Sequence, residues 1–442
     1  MSKAKLLAGA CVAFGAFGAL TVGPVSAETT LNIATVNNSD MIIMQKLSPK
    51  FEAATGIKLN WAVLEENVLR QRVTTDIATK GGQFDIITIG AYETPIWGKL
   101  GWLDEVDDLG AAYDYDDLIP QVRAGLSADG KMYAVPFYGE SSFTFYRKDL
   151  FDKAGIKMPD KPTYDQIAEY AEKLTDKANG VYGICLRGKP GWGENMAFFD
   201  SMVNAFGGQW FDMQWKPQLT SDAWKAATKW YLDVMAKAGP PGATANGHNE
   251  NRALFATGKC AIWIDATSAA GYIYNPKSSQ VADKTAFTVS PITDKNPNAS
   301  GWSWSWALAI PTSSQKADAA KKFLAWSTSK DYAKLVGETE GWVSAPPGTR
   351  ISTYTNPDYI KAAPFAATVL KAIQVADPAH PTVNPVPYTG VQFVAIPEFQ
   401  AIGTQVGQEI AAALAGQQTG DQALEKAQTA TERAMKAAGY PK

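Results

Sequence analysis

Histidine and cysteine are scarce in this sequence. Its 442 residues include two histidines and three cysteines, and none of the spacings that build a zinc site, a thiol redox pair or a calcium loop is present. The Walker and G-x-S-x-G sequences, which cradle phosphates or position a nucleophilic serine, are missing too. Metal-dependent hydrolysis, nucleotide chemistry and serine hydrolysis therefore lack their characteristic residues, and we expect neither a cofactor nor a bound metal.

An excess of positive charge is also missing. The chain carries 41 lysines and arginines against 44 aspartates and glutamates, which gives a formal net charge of −3. Because proteins that bind nucleic acids usually present a basic surface, we expect no nucleic-acid partner. Beyond the N-terminal segment, no run of eighteen apolar residues occurs, so no membrane span is expected there.

Residues 1–27 have the pattern of a secretory signal peptide. The basic start MSKAK precedes an apolar run, and the small residues of PVSA come just before Glu28. This pattern predicts cleavage after Ala27 and export to the periplasm. The remaining 415 residues carry a formal charge of −5, and they exceed what one hydrophobic core usually serves. We therefore expect two lobes.

Two cysteines, Cys185 and Cys260, remain after this cleavage. Both lie in or beside apolar, strand-like runs, YGICL and CAIWI. In an oxidising compartment, such a pair forms a disulfide if the two strands are neighbours. Two buried free thiols are an equally ordinary outcome, and the sequence leaves both open.

Strands alternate with helices in the first part of the chain. LNIATV (31–36), IKLNWAVL (57–64) and FDIITIG (84–90) indicate strands, and the third is apolar enough to be buried on both faces. A helical pattern separates the first two strands, and Gly56 ends that helix. This order predicts an α/β fold.

Ligands of open α/β sheets bind beyond the carboxyl ends of the strands. Polar or aromatic residues occupy such positions throughout this chain, namely Asn37, Asn38, Glu65, Glu66, Tyr92, Glu93, Glu140 and Asp265. The same residue types also serve as helix N-caps or as solvated loop residues. Each residue is thus a candidate for the binding site with a structural alternative beside it.

Tryptophans add candidates of a second kind. In GWSWSWALAIP, Trp302, Trp304 and Trp306 alternate, so a strand would place all three indoles on one face. The stripe serves either as sheet core or as a platform that stacks on the C–H faces of a sugar or polyol. The irregular loop RGKPGWGENM contributes Arg187, Trp192, Glu194 and Asn195.

Stacking faces beside polar strand ends suit a neutral hydroxylated solute. The alternative is a secreted glycosidase, which needs two carboxylates and no histidine. Glu140 and Asp265 are the pair we would assign to it.

Four blocks, in order, resemble extracellular solute-binding proteins that deliver sugars to ABC importers. They are FDIITIG, VPFYGESSFTFYRKDLFDKAGI, LFATGKCAIWID and WALAIPTSSQKADAAKKFLAWSTS. The stretches ATVNN, AYETPIWG, FYGESS and GWGENM are most similar to members that bind polyols such as mannitol, sorbitol and arabitol. The resemblance implies a protein that closes by a hinge on a polyol or related monosaccharide, catalyses nothing and delivers the ligand to a separate membrane permease. The sequence does not show the oligomeric state, but delivery to a permease suggests a monomer.

The resemblance also implies lobe boundaries and site positions. One lobe would hold residues 28–138 and about 288–345, and the other 139–287 and about 346–442. The family's pocket positions fall on Asn38, Tyr92, Glu93, Glu140 and Asp265. The other candidate ligand contacts are Glu66, Arg187, Trp192, Asn195, Trp302, Trp304 and Arg350, while Trp306 is expected in the core. For Arg350, the alternative is a solvent-exposed salt bridge.

Overall fold

The computed structural model describes residues 28–299 and 301–441, so the expected signal peptide lies outside the described residues. The strands are β1 (Thr30–Val36), β2 (Lys58–Leu64), β3 (Ile86–Gly90), β4 (Ser127–Ala128), β5 (Lys131–Met132), β6 (Val135–Glu140), β7 (Ser142–Arg147), β8 (Tyr182–Cys185), β9 (Cys260–Ala266), β10 (Thr285–Val289) and β11 (Trp304–Ala309). The larger strands form two separate sheets, which confirms the two-lobed α/β fold.

Helices cover the sheets. They are α1 (Ser39–Leu47), α2 (Pro49–Thr55), α3 (Glu66–Thr79), α4 (Glu93–Lys99), α5 (Pro120–Gly125), α6 (Lys148–Ala154), α7 (Tyr164–Leu174), α8 (Asn195–Ala205), α9 (Asp222–Ala238), α10 (His248–Ala256), α11 (Ala270–Ile273), α12 (Ala317–Ser327), α13 (Lys330–Glu340), α14 (Ile351–Thr355), α15 (Pro357–Ala362), α16 (Ala366–Val375), α17 (Phe399–Leu414) and α18 (Gly420–Ala437). Within the described ranges, none of them is both long and apolar enough to cross a membrane.

The sheet of the first lobe has the strand order β2-β1-β3-β11-β6. β1 runs parallel to β2 and β3, whereas β11 runs antiparallel to β3 and β6. The single helix predicted between β1 and β2 is two helices, because Pro49 has no N–H to continue the hydrogen-bond ladder. Gly56 does end this helical segment, in the left-handed conformation that glycine adopts without strain.

The sheet of the second lobe has the order β10-β7-β9-β8. β8 and β9 are parallel neighbours, and a disulfide joins Cys185 to Cys260. Of the two alternatives left by the sequence, the structure therefore has the disulfide. It ties together the two strands that lead to Arg187 and Asp265.

The chain crosses between the lobes at the ends of strands. β6 in the first sheet ends at Glu140 and β7 in the second begins at Ser142, while β10 ends at Val289 and β11 begins at Trp304. A later crossing differs from the expected one near residue 346, since α14 packs on α13 and α16 packs on β6 of the first lobe. Helices α17 and α18 then pack on α8 and α9 of the second lobe. The return to the second lobe therefore lies after Val375.

Candidate functional site

A cavity lies between the two lobes at the strand ends. It encloses about 780 Å³ of space, part of which is open to solvent. Residues of the two lobes meet around it: Lys189 Nζ lies 2.6 Å from a carboxylate oxygen of Glu65, and Asn249 Nδ2 donates to the carbonyl of Asn37 at 2.9 Å. These contacts describe a closed arrangement of the lobes.

Four indoles form an aromatic wall of the cavity: Trp192, Trp302, Trp304 and Trp306. Gly90 at the end of β3 makes room for Trp304, because a Cβ on this glycine would lie 2.0 Å from the indole ring. Trp192 comes from the loop of the other lobe, and its ring centroid is 5.9 Å from that of Trp304. Trp306 was expected to be a core residue. It is buried, as expected, but it also lines the cavity.

Two of these indoles have an unused hydrogen-bond donor. The buried Nε1–H groups of Trp192 and Trp302 find no acceptor among the described residues. Leaving a buried N–H unpaired costs free energy, so such a group is usually satisfied by a partner. Both residues line the cavity, where the oxygen of a ligand can supply that acceptor.

Arg187 is the principal cation on the wall of the second lobe. It follows β8, and its Nε and Nη2 donate to the two oxygens of Asp265 at 2.9 and 2.6 Å. Burial alone would raise the pKa of Asp265, but Arg187 and His248 outweigh it and hold this pKa well below its usual range. Asp265 is thus ionised and fixes the position of the guanidinium.

Arg70 of α3 is its counterpart in the first lobe. Its Nη2 donates to Glu66 at 2.8 Å and its Nη1 to Glu93 at 2.5 Å. The guanidinium carbon lies 3.9 Å from the ring centroid of Trp192 and 4.7 Å from that of Trp306. This cation therefore connects the carboxylates of one lobe with an indole of the other.

Two carboxyl groups in the cavity have raised pKa values. Burial raises the pKa of Glu140 to about 8, although the hydroxyl of Ser268 donates to it. Burial, and next the nearby charge of Glu66, raise the pKa of Glu194 to about 8 as well. Both groups line the cavity, where they offer hydrogen-bond acceptors or, when protonated, donors.

Seven of the twelve predicted site residues line the cavity: Asn38, Glu66, Glu140, Arg187, Trp192, Trp302 and Trp304. The structural alternative also holds for Asn38, because its Oδ1 caps α1 by accepting from the N–H of Met41. Strand-end geometry and the tryptophan stripe therefore locate much of the site.

Four predicted residues do not line the cavity but lie directly behind the residues that do. Tyr92 donates to the carbonyl of Ile396 and packs its ring on Trp192, at 4.8 Å between centroids. Glu93 holds Arg70, and Asp265 holds Arg187. Asn195 donates to the carbonyl of Gly407. These residues position the groups that face the cavity.

The expectation for Arg350 is wrong in both of its forms. This side chain is buried in the first lobe, where it donates to the carbonyls of Tyr113, Asp114 and Thr328. A longer contact of 3.4 Å joins it to Asp117. Its donors are used to hold the segment between α13 and α14 onto the first lobe, so it contributes no group to the cavity.

Several lining residues were missed from the sequence: Arg70, Tyr138, Lys189, His248, Asn249, Glu250, Ser268 and Gln392. Arg70 had a signal, since it lies four residues after Glu66 on a helix and therefore on the same face. Gln392 and Asn249 had none, because only the folded chain brings the loop of Gln392 and the start of α10, which holds Asn249, to the cavity.

Comparisons with known proteins agree with this geometry. Residues 37–334 match the family described as bacterial extracellular solute-binding protein. The mannitol-binding protein of Pseudomonas aeruginosa is 55% identical over 416 residues, which cover 93% of this chain and 94% of that protein.

Two solved structures extend the comparison. A solute-binding protein of an ABC transporter from Agrobacterium vitis, with bound D-mannitol, is 62% identical with a TM-score of 0.92, covering 94% of this chain and 100% of the other. A second, from Agrobacterium radiobacter in complex with ribitol, is 26% identical with a TM-score of 0.82, covering 92% and 98%. The chain belongs to the bacterial extracellular solute-binding proteins, which bind their solutes without transforming them.

Proposed function

We propose that this protein binds a linear polyol, D-mannitol first among them, between its lobes and delivers it to the permease of an ABC importer. The observation that carries the proposal is the closed interlobe cavity, with four indoles on one side and paired charged groups around it. Flat aromatic faces suit the C–H groups of a polyol, and charged side chains suit its hydroxyls. The bound D-mannitol and ribitol of the two similar structures support this ligand class.

Each lining residue has a proposed role. Trp302 and Trp304 stack on the carbon chain of the ligand, with Trp192 and Trp306 completing the wall. Arg187 and Asn38 donate to hydroxyl oxygens, while Glu66, Glu140 and Glu194 exchange hydrogen bonds with hydroxyls. Tyr92, Glu93, Asn195 and Asp265 position these groups from behind.

Binding would proceed by closure of two half-sites. We assign residues 28–140 and 304–375 to the first lobe, and residues 142–289 and 399–441 to the second. A polyol that contacts both lobes stabilises the closed form, which is the state the permease would recognise. A monomer suffices for this cycle, because the cavity is formed within one chain.

The glycosidase alternative is not supported. The carboxylate of Asp265 already accepts hydrogen bonds from Arg187 and from the indole of Trp263. It does not line the cavity, and the family to which the chain belongs is not enzymatic.

Titration calorimetry of the mature protein tests the ligand. We expect saturable binding of D-mannitol, D-sorbitol and D-arabitol, and much weaker binding of glucose and maltose. Binding of maltose but of no polyol would contradict the proposal.

Mass measurement of the exported protein tests the cleavage after Ala27, and a mass that includes any part of 1–27 would contradict that site.

A further inference from the structure

Acidic groups outnumber basic groups at the closed cavity. The buried or half-buried carboxyl groups of the wall and the layer behind it are Glu66, Glu93, Glu140, Glu194 and Asp265. The cations are Arg70, Arg187 and Lys189, and burial lowers the pKa of the fourth basic group, His248. A charge removed from water is costly unless an opposite charge compensates it. The closed cavity thus has room for additional positive charge.

The three cations are already engaged. Arg70 contacts Glu66 and Glu93 together. Arg187 donates two hydrogen bonds to Asp265 and a third to the carbonyl of Gly193. Lys189 contacts Glu65 on the opposite lobe at 2.6 Å and lies farther from Glu194, at 3.7 Å.

Glu140 is the carboxyl group without a cation. It is 6% exposed, and no lysine, arginine or histidine lies within 4 Å of its oxygens in the described part of the chain. Its Oε2 accepts from Ser268, and its Oε1 accepts from no described residue. The charged and titratable groups that act on it are Arg187, Asp265, Glu66 and Tyr138. Since burial raises its pKa to about 8, a proton fills the place of the missing cation near neutral pH.

The indoles beside Glu140 also favour a cation. Trp304 pairs with Glu140 in the register between β11 and β6, so the two residues are direct neighbours across the strands. Trp302 lines the same cavity. The face of an indole attracts an ammonium group, most strongly where water is excluded. A carboxylate and an aromatic face next to each other are the two groups that bind alkylammonium ions.

We propose that the cavity binds a second ligand class, amino-alditols, in which a primary ammonium replaces one terminal hydroxyl of the polyol and is held by Glu140. This inference rests on the proposed polyol function, since the remaining hydroxyls use the same wall. The ammonium takes the place of the proton: Glu140 releases its proton to solvent as the charged amine arrives. The uncharged polyol leaves that proton where it is.

The pH dependence of the two ligands therefore differs. An alkylammonium stays charged between about pH 6 and about pH 8, as lysine does. Ionisation of Glu140 becomes easier over this range, so the affinity for the amino-alditol rises relative to the affinity for the polyol. The ratio increases by up to about tenfold per pH unit, the limit for release of one proton.

Calorimetry with a matched pair of ligands tests this. 1-Amino-1-deoxy-D-mannitol and D-mannitol are titrated into the mature protein at several pH values, in buffers of low and high ionisation enthalpy. We expect proton release with the amine only, and an amine-to-mannitol affinity ratio that rises with pH. In Glu140→Gln the ratio should fall by about tenfold and lose its pH dependence, because the charge-assisted bond is gone.

Two further variants complete the test. Glu194→Gln identifies which carboxyl group responds, and Glu172→Gln, an exposed glutamate far from the cavity, controls for a change of one negative charge. If mannitol binds and the amine does not, or if the ratio is unchanged in Glu140→Gln, the inference is overturned and the polyol function stands. If neither ligand binds, both are overturned. A response confined to Glu194→Gln also contradicts the role of Glu140.

Discussion

Two buried arginines, Arg187 and Arg350, show how similar residues acquire different roles. Both were candidates for ligand contact, and both are almost fully buried, at 5% and 1% exposure. Arg187 donates mainly to the carboxylate of Asp265 and still lines the cavity. Arg350 donates to three backbone carbonyls within the first lobe and lines no part of the cavity.

The difference lies in what compensates each guanidinium. A carboxylate behind Arg187 neutralises its charge, which leaves the group ready to contact a polar ligand in front. Carbonyl groups around Arg350 use up its hydrogen-bond donors, so this residue holds the segment between α13 and α14 in place instead. The first arginine should matter for affinity and the second for stability.

The largest effect is expected on stability, in Arg350→Met. Removing the guanidinium takes a donor from three carbonyls and the one arginine contact from Asp117, which should cost about 3–5 kcal/mol of unfolding free energy. Denaturant unfolding measures this loss. The affinity of the folded fraction for mannitol should change less than about twofold, and a large loss of affinity would break the distinction between the two arginines.

Arg187→Met should lower the affinity for mannitol more than it lowers the stability of the fold. Loss of a charge-assisted hydrogen bond to the ligand lowers affinity by about a hundredfold. Calorimetry measures this loss. Because Asp265 also loses its main partner, some stability is lost as well, and Asp265→Asn combined with Arg187→Met should restore part of it without restoring binding. Affinity equal to that of the natural protein in the single variant would remove Arg187 from the site.

Trp304→Ala should weaken mannitol binding by about tenfold or more, because an aromatic face of the cavity is removed. The matched control is Trp326→Ala, since Trp326 packs on Phe51 and Phe323 away from the cavity. The control should lose stability while keeping its affinity. If the two variants bound mannitol with equal affinity, Trp304 would be a core residue and not a ligand contact.

The two raised carboxyl groups make stability depend on pH. The folded protein keeps Glu140 and Glu194 protonated up to about 8, whereas the unfolded chain releases these protons above about 4.5. Stability therefore falls as pH rises through this window, by up to about 1.4 kcal/mol per pH unit for each group. Unfolding at several pH values should show a smaller slope in Glu140→Gln, and an unchanged slope would contradict the assignment.

The smallest effect concerns closure. Lys189→Met removes the contact with Glu65 that joins the two lobes at the rim. Because partly exposed ion pairs contribute about 0.2–1 kcal/mol, mannitol affinity should fall by about two- to fivefold and more at low salt than at high salt. Salt-independent affinity in both proteins would show that this contact plays no part in closure.

The sequence predicts residues whose position follows from local geometry. Asn38, Glu66 and Glu140 lie at strand ends, and such ends meet at one edge of a sheet whatever the rest of the chain does. The alternation of Trp302, Trp304 and Trp306 predicts one shared face in the same way. These short-range rules account for the α/β fold and for most of the predicted lining residues.

Long-range placement is what the sequence does not predict. Gln392 reaches the cavity from a loop and Asn249 from the first turn of α10, and the position of both depends on long-range packing. Arg350 lies just after the lobe boundary expected near residue 345, yet its hydrogen bonds hold it on the first lobe. Tyr92, Glu93 and Asp265 lie at the predicted edge, but one layer behind the cavity, a distinction that only side-chain packing decides.

A crystal structure of the mature protein with D-mannitol would locate the ligand and its contacts in one experiment. We expect mannitol in the interlobe cavity, with hydroxyl oxygens within hydrogen-bond distance of Arg187 and of the indole N–H of Trp302, and with Trp304 against its carbon chain. Arg350 should keep its three carbonyl contacts. Mannitol bound elsewhere, or bound in this cavity without contact to Arg187, would show that Arg187 is not part of the mannitol site.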